Sequence, residues 1–171
     1  THPGAPTPQA YAQFYFNEGW RVDDAALATM STIAACGEPE QQKVVLGCLR
    51  AVYLPWLDAT ARHLQKLVHE HGQFIAKRTT PMAPAVGRLV LFADGLRMDV
   101  AQQLAAQLAS AGVESTMDWE WSTIPAVTAS AKPAASPIAD GVQGGAAEDE
   151  FATRLRSSGQ LLTQDRFMAT L

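Results

Sequence analysis

The chain of 171 residues contains few charged residues, few cysteines and no long apolar run, and each of these shortages argues against some classes of protein. Charged residues make up 18 %, with 13 Lys and Arg against 17 Asp and Glu, so the net charge is −4. A slightly negative net charge argues against the basic surface with which nucleic-acid-binding domains contact phosphates. Hydrophobic residues reach 47 %, which argues against a disordered chain and is typical of a globular one.

The scarcity of cysteine argues against a thiolate metal cluster. Only Cys36 and Cys48 are present, both in apolar segments with a helical pattern. We expect two reduced thiols in the core of a cytoplasmic protein, while their spacing leaves a disulfide between them open. His63, His69 and His71 lie on one predicted helix without the i,i+4 spacing of a two-histidine metal site, so we expect none to bind metal.

Membrane and targeting signals are also missing. No uninterrupted apolar run approaches the ~20 residues of a membrane span, and the Pro-rich residues 1–8 show no signal-peptide pattern. The sequence does not begin with Met, so we expect a piece cut from a longer protein. These observations predict a cytoplasmic location without membrane contact.

Residues 1–80 predict an all-helical module that begins with the Pro-rich segment. Apolar side chains recur at three- and four-residue steps from Gln9 to Cys36, with an interruption at Asn17-Glu18-Gly19. This pattern predicts a short helix, a turn, and a second helix that Asp23 caps and that stops at Gly37.

A second helical pattern, over residues 39–72, is the strongest in the chain. An apolar stripe runs along it from Val45 to Leu67, and Gly72 is the predicted end. Pro55 removes a backbone donor, so we expect this helix to kink or split there.

Residues 81–171 follow a predicted linker at residues 79–84 and show a different pattern. Gly87 to Ala93 is a short apolar run that predicts a strand covered on both faces. A helical stripe follows and stops at Gly112, and Val113 to Trp121 predicts a second strand. Strand, helix and strand in this order indicate a parallel sheet. The predicted fold class is therefore α/β, an all-helical module followed by an incomplete parallel sheet.

The last part of the chain predicts irregular structure and one helix. Ala139 to Glu150 is rich in glycine and acidic residues and predicts a surface loop. Ser157-Ser158-Gly159 predicts a turn, and Thr163 is the expected N-cap of a final helix.

Asp94 is the first candidate site residue, because it follows the apolar run of the first predicted strand. Open α/β sheets bind ligands at the carboxyl ends of their strands, where a carboxylate is well placed to hold a divalent ion. The alternative is a structural Asp that satisfies loop amides. Gly95 permits a tight turn at this point. Asp99 is expected in the first turn of the next helix, where it favours the helix dipole, and Arg97 is expected to be solvated.

Thr128 is the second candidate, at the predicted start of another helix after Pro125. In the structural alternative it is an ordinary N-cap. In the functional interpretation its hydroxyl is a nucleophile, and backbone amides near Ala129 bind a phosphoryl oxygen. A metal ion is then required to lower the hydroxyl pKa, since no base lies nearby in sequence. Lys132 is a weaker candidate for contact with an anion.

Five segments of the chain together resemble one known family. They are Leu89 to Asp99 (LVLFADGLRMD), Trp121 to Ser130 (WSTIPAVTAS), Phe14 to Asp23, Leu49 to Leu57, and Ser158 to Phe167. This combination resembles the PglZ proteins of the alkaline phosphatase superfamily, which occur in bacterial BREX phage-defence systems. The resemblance covers nearly the whole chain, from the helical spacer into the first part of the PglZ domain.

The resemblance implies an activity and a set of site residues. Asp94 would be a metal ligand, and Thr128 would be both nucleophile and metal-bound oxygen, in the hydrolysis of a phosphate ester, most often a diester. Two zinc or manganese ions are expected in the complete domain. The expected partners are other components of a phage-defence complex, with nucleic acids and nucleotides among the candidate substrates. No Asp-His-Gly motif occurs before Leu171, so we expect the isolated chain to be inactive.

Two other functions stay open at this point. The helical module, with its stripe from Val45 to Leu67, is also a plausible docking surface of a non-catalytic scaffold in a defence complex. A Rossmann-like nucleotide binder is disfavoured, because Asp94-Gly95-Leu96 supplies one glycine where a phosphate-binding loop uses several.

Overall fold

The computed structural model describes residues 4–35, 37–71, 86–87, 89–123, 126–144 and 152–171. The chain divides into two compact units, Thr1–Phe74 with Arg97–Met117, and Ile75–Leu96 with Asp118–Leu171. We call them the helical unit and the cleft unit. This division differs from a single boundary after residue 80, since residues 97–117 group with the N-terminal helices. The predicted linker, the predicted helix end at Gly72, and Cys36 lie outside the described residues.

The described residues of the helical unit form four α-helices and one π-helical turn. They are α1 (Pro8–Phe14), the π-helical turn (Tyr15–Gly19), α2 (Trp20–Ala35), α3 (Pro39–His71) and α4 (Met98–Ser110). The Thr7 hydroxyl caps α1 by accepting a hydrogen bond from the Ala10 N–H at 3.1 Å. Gly37 is non-helical and Gly112 has φ +77° after the end of α4, so both predicted stop signals are confirmed.

The turn predicted at residues 17–19 is wrong, because a π-helical turn joins α1 directly to α2. Gly19 allows this wide turn: a Cβ at that position would lie 2.9 Å from the Tyr15 ring. The sequence suggests that this glycine breaks the helix, whereas in the structure it permits close packing within a continuous helix. As a consequence α2 has no free N-terminus at Asp23, and the predicted capping role of Asp23 is also wrong.

Helix α3 runs through Pro55 as one element of 33 residues, so the predicted split does not occur. Its burial changes along its length: Leu67 is buried, whereas Val52 and Val44 are exposed. Cys48 is an exposed free thiol, so its predicted place in the core is wrong. The Tyr11 ring of α1 packs edge-on against His63, and its hydroxyl donates to the Thr60 carbonyl at 3.2 Å.

Among the described residues, α3 is one helix that is long and apolar enough to cross a membrane by length and composition alone. None of the qualifying stretch is buried. A single such helix is weak evidence, because helices of soluble proteins pass the same test. The cytoplasmic location therefore stays a prediction.

The cleft unit contains short elements around a small core. They are α5 (Thr128–Ala135), a 3₁₀ turn (Ala139–Gly141), β1 (Val142–Gln143), β2 (Arg154–Leu155) and α6 (Gln164–Thr170). Ile138, Val142 and Phe167 form the buried core, and Phe92, Leu155 and Leu162 pack against it. The Thr163 hydroxyl caps α6 by accepting from the Arg166 N–H at 3.4 Å, which confirms the predicted cap.

The α/β class holds only in a coarse sense, since the sheet has two antiparallel strands with Val142 opposite Leu155. Neither predicted parallel strand is formed within the described residues, where 89–93 and 113–121 have no ladder partner. Leu89 and Leu91 are 93 % and 84 % exposed, so the first apolar run is not covered on both faces as predicted. A β-strand requires backbone hydrogen bonds to a neighbouring strand, and the apolar content of a segment does not provide that neighbour.

Part of the segment predicted as a surface loop instead carries the sheet and the core. Within residues 139–150, Val142 belongs to both β1 and the buried cluster, and a 3₁₀ turn precedes it. The turn predicted at residues 157–159 is observed, and Gly159 there has φ +67°.

Candidate functional site

A cleft of about 330 Å³ in the cleft unit contains both Asp94 and Thr128 in its wall. Three parts of the chain line it: residues 92–96 around Asp94, two residues shortly before α5, and one face of α5. The lining residues are Phe92, Ala93, Asp94, Gly95, Leu96, Ser122, Ala126, Thr128, Ala131, Lys132 and Ala135. The structure therefore brings the two predicted site residues to one surface, and their chemical roles stay predictions.

Asp94 stands on a turn that is anchored from one side. The Phe92 ring lies 6.5 Å from the ring of the core residue Phe167, which ties the segment to the core two residues before the acid. Gly95 then adopts φ +72°, a left-handed conformation that favours glycine, and completes the turn. The Asp94 side chain is 49 % exposed, so its carboxylate faces the solvent of the cleft.

Thr128 is the first residue of α5, and Val127 is the N-cap, without a side-chain capping bond. The structural alternative, in which Thr128 itself caps the helix, is therefore wrong. The Thr128 side chain is exposed, and within the described part of the chain its hydroxyl makes no hydrogen bond. The hydroxyl stands at the positive end of a short helix and is accessible to a ligand.

The first turn of α5 is held in place from several sides. The N–H groups of Ser130 and Ala131 both donate to the Val127 carbonyl, at 3.0 and 2.7 Å. The Thr153 hydroxyl donates to the Ala129 carbonyl at 2.7 Å, and the Thr123 hydroxyl lies 3.2 Å from the Ser130 hydroxyl. These bonds fix the helix start that carries Thr128. The predicted contact residue Ala129 is exposed beside it, although its side chain is not part of the cleft wall.

Lys132 contacts Asp94 directly. Its Nζ lies 3.1 Å from Asp94 Oδ2, with the two side chains 37 % and 49 % exposed. The ammonium also lies 5.5 Å from the centroid of the Phe167 ring, a cation–π distance. Its i,i+4 spacing from Thr128 signals a shared helix face, but no sequence signal links it to Asp94. Ser122 is a further polar residue in the wall that sequence reasoning missed.

The residues of the cleft do not fit a complete metal centre. Asp94 and Thr128 offer one carboxylate and one hydroxyl, and Lys132 already neutralises the carboxylate. Among the described residues no group of three or more His, Cys, Asp and Glu is close enough to hold a metal ion. Stable divalent-ion sites use more ligands than these two.

A second cluster of charged residues, in the helical unit, is fully engaged in internal bonds. Arg97 donates to both oxygens of the fully buried Asp99, at 3.0 and 2.8 Å, while its own side chain stays 50 % exposed, so it is solvated as predicted and also forms an ion pair that was not predicted. Asp99 does lie in the first turn of α4, as predicted. Asp23 is buried and accepts hydrogen bonds from the hydroxyls of Tyr15, at 2.5 Å, and Tyr53.

The pKa values of this cluster follow from burial and from these bonds. Burial first, and then the hydrogen bond to the Asp23 carboxylate, raises the pKa of Tyr53 to about 12, and the same causes raise the pKa of Tyr15 further. The hydrogen bond to Asp99 raises the pKa of Arg97. These groups keep their protons at neutral pH, as expected of a structural network.

The paired tryptophans have a packing arrangement. Trp119 and Trp121 are half-buried, and their ring centroids lie 5.9 Å apart in an edge-to-face geometry. Neither lines the cleft. This arrangement agrees with the packing role preferred from the sequence over a shelf for a substrate base.

Comparison with known proteins gives one distant similarity. No family model matches the chain, and no solved structure matches it. The chain is 27 % identical over 168 residues to "L-cysteine:1D-myo-inositol 2-amino-2-deoxy-alpha-D-glucopyranoside ligase" of Cellulomonas flavigena, which covers 86 % of this chain and 39 % of the ligase. The chain thus spans about two fifths of the length of this curated relative. None of these findings bears on the resemblance to the PglZ proteins, which stays a prediction.

Proposed function

We propose that the cleft is one wall of the active site of a metal-dependent phosphohydrolase of PglZ type, with a phosphodiester as the preferred substrate. One observation carries the proposal: Asp94 and Thr128, remote in sequence, line the same cleft. Metal-assisted phosphoryl transfer to a threonine requires at least the threonine hydroxyl as nucleophile and a carboxylate as metal ligand, and this surface carries one of each.

Thr128 is the proposed nucleophile. Its hydroxyl is exposed in the cleft and makes no hydrogen bond within the described residues, so it is accessible to an incoming phosphorus atom. The partial positive charge at the start of α5 favours the negative charge of an attacking alkoxide and of the phosphoryl oxygens. The hydrogen bonds around Ser130 and Ala129 keep this helix start rigid, which fixes the direction of attack.

Asp94 is the proposed metal ligand, and the Thr128 oxygen would share the same ion. Two zinc or manganese ions in the complete domain would supply the Lewis acidity that lowers the pKa of the hydroxyl. Two donors are too few to hold such ions, so we expect the chain by itself to be inactive. Groups other than these two residues would have to supply the remaining ligands.

The same proposal accounts for the exposed apolar segment before Asp94. Leu89 and Leu91 are exposed, while Phe92 packs against the core. We propose that residues 89–93 become a strand of a parallel sheet of alkaline-phosphatase type when the rest of the domain covers them. The proposed setting is a cytoplasmic phage-defence complex, with nucleic acids or nucleotides among the candidate substrates.

The decisive experiment uses the protein encoded by the full open reading frame. With bis(p-nitrophenyl) phosphate and Mn²⁺ or Zn²⁺, Thr128→Ala should lower kcat by about three orders of magnitude or more, as loss of a nucleophile does. Thr170→Ala is the matched control, since Thr170 is an exposed threonine on α6 of the same unit and lies outside the cleft wall, and it should keep near-normal activity. Persistent metal-dependent activity in Thr128→Ala would rule out the nucleophile role.

A second candidate function is a non-catalytic docking component of a defence complex. It is favoured by the apolar surface of α3, where Val44, Val52 and Leu54 are 64 %, 76 % and 54 % exposed. Under this hypothesis the double variant Asp94→Asn, Thr128→Ala should retain partner binding and phage protection. Val52→Lys should abolish both. The opposite pattern, with protection lost only in the cleft variant, would exclude it.

A further inference from the structure

We propose that one face of α3, which we call the α3 seam, is the interface through which two copies of this protein associate, with their α3 helices antiparallel. The seam consists of residues that follow one another at steps of three, four, three and four positions: Val45, Cys48, Val52, Pro55 and Ala59. The proposal stands independently of the proposed activity, since it uses no residue of the cleft.

The seam is apolar, and its side chains are accessible in the described part of the helical unit. Val45 and Val52 are 41 % and 76 % exposed, and the other three members are exposed as well. None of the five carries a charge, and Val44, at 64 % exposure, widens the apolar surface along one edge. Solvent therefore meets a continuous apolar stripe over about four turns of helix, the kind of surface that marks an interaction site.

The spacing of the seam favours another helix as its occupant. Steps that alternate between three and four are those of the a and d positions of a coiled coil, whose side chains pack into the gaps of a facing helix. Cys48 and Ala59 are small, so a facing backbone can approach closely at these positions. A lipid surface would instead favour a polar face dominated by Lys and Arg, whereas Glu40, Asp58 and Glu70 interrupt the basic residues of α3.

The charges at the two ends of the seam identify the facing helix as a second α3. Glu38 and Glu40 lie exposed at the N-terminal end, and Arg62 and Lys66 lie exposed at the C-terminal end. The two bases also pair with acids one turn along the helix, yet their side chains stay 76 % and 69 % exposed and can contact a second acid. Parallel copies would bring like charges together at each end, whereas antiparallel copies bring opposite charges together. The helix dipoles favour the same orientation.

One register satisfies the apolar layers and the end charges together. With a two-fold axis beside residue 50, three kinds of contact form between the copies: Cys48 with Val52, Val45 with Pro55, and Glu38 with Arg62. A shift by one heptad would place Arg62 against Val45, a charge against an apolar side chain, so the first register is preferred.

The first experiment measures the dissociation constant of the dimer by sedimentation equilibrium of the protein encoded by the full open reading frame. Wild type should dimerise at concentrations up to about 0.5 mM, since a single helix pair is a small interface. Val52→Lys puts two unpaired ammonium groups into the central layers and should raise the constant by about 100-fold or more. Leu54→Lys is the matched control and should dimerise as wild type. Leu54 is 54 % exposed on the same helix, but two positions turn the helix by about 200°, which places it away from the seam.

The second experiment tests the orientation by disulfide trapping. Val45→Cys and Pro55→Cys, each combined with Cys48→Ser, are oxidised separately and as a mixture, and mass spectrometry of the joined peptides identifies each bond. The mixture should give at least about tenfold more covalent dimer than either variant alone. In the antiparallel register residue 45 meets residue 55, whereas two copies of the same position lie about 15 Å apart along the axis, beyond the reach of a disulfide.

Every other result overturns the proposal. Wild type that stays monomeric, or a dimer that Val52→Lys leaves intact, would exclude the seam as the interface between copies. Bonds between two copies of residue 45, in place of 45 with 55, would exclude the antiparallel arrangement. A monomer that binds vesicles of equal parts phosphatidylcholine and phosphatidylglycerol through Val52 would assign the seam to a membrane surface. A monomer that Val52→Lys destabilises in urea would assign it to another part of the same chain.

Discussion

In the helical unit two carboxylates are buried and saturated with donors, whereas in the cleft unit one carboxylate is half-exposed and has one ion-pair partner. Both oxygens of Asp99 accept from Arg97, and the two oxygens of Asp23 accept from Tyr15 and Tyr53. Asp94 has the Lys132 ammonium on one oxygen. A buried carboxylate is stable only when its lone pairs are bonded, which leaves it no capacity for a ligand. The comparison therefore assigns Asp23 and Asp99 to structure, and the role of Asp94 as a ligand stays a prediction.

The largest expected effect tests the structural half of this comparison. Arg97→Met removes both hydrogen bonds from a fully buried carboxylate and should lower the free energy of unfolding by up to about 3 kcal/mol, the lower end of the range for a wholly buried pair, because the Arg97 side chain is itself 50 % exposed. Urea denaturation followed by helical circular dichroism measures this loss. Arg62→Met is the control, since Arg62 pairs with Asp58 on the surface of α3, where water solvates either partner alone, and this substitution should leave the urea midpoint close to that of wild type. Equal effects of the two substitutions would contradict the distinction.

A smaller effect is expected from one of the two tyrosines on Asp23. Tyr53→Phe deletes a hydroxyl donor to a buried carboxylate and should lower the free energy of unfolding by about 1.5–3 kcal/mol, the range for hydrogen bonds to charged groups. Tyr11→Phe is a useful control, because the Tyr11 hydroxyl donates to the neutral Thr60 carbonyl, and its loss should be nearer about 1 kcal/mol. Larger destabilisation by Tyr11→Phe would argue against a special role of Asp23.

The Asp23 cluster also makes stability depend on alkaline pH. The pKa of Tyr53 is raised from 10.0 to about 12 in the folded state, so the contribution of its proton is fully present below pH 10 and is lost as pH rises through 12. Urea midpoints of wild type should fall between pH 10 and pH 12, and Tyr53→Phe should show a shallower fall. Identical slopes in the two proteins would remove Tyr53 as the source.

The helical pattern of the sequence predicted most of the fold, because helices depend on local spacing and end signals. The existence of α3, the stop at Gly112 and the cap at Thr163 were all predicted in this way, whereas Val45 and Val52 of the predicted apolar stripe are exposed. The strands were not, since the apolar run at residues 89–93 has no neighbouring strand among the described residues to complete a ladder. The local pattern also led to a wrong prediction of a helix break at Gly19. The glycine is needed there because the Tyr15 ring packs beside it, and sequence spacing does not show such a contact.

Part of the candidate site could also be predicted from local features of the sequence. Asp94 and Thr128 were singled out by local features, an acid after an apolar run and a hydroxyl at a helix start, and tertiary packing then brings both into one cleft wall. The pairing of Lys132 with Asp94 and that of Tyr53 with Asp23 join residues far apart in sequence. Only tertiary packing decides such pairs, so no spacing rule predicts them.

The smallest expected effect tests the binding half of the comparison. Asp94→Asn and Lys132→Met should each change the free energy of unfolding by less than about 1 kcal/mol, because both side chains are more than one third exposed and water solvates either partner alone. The same urea titration measures these variants beside Arg97→Met. A loss near that of Arg97→Met would mean that Asp94 stabilises the fold as Asp99 does. A small loss would instead show that the fold does not depend on this carboxylate, in contrast to the buried carboxylate of Asp99.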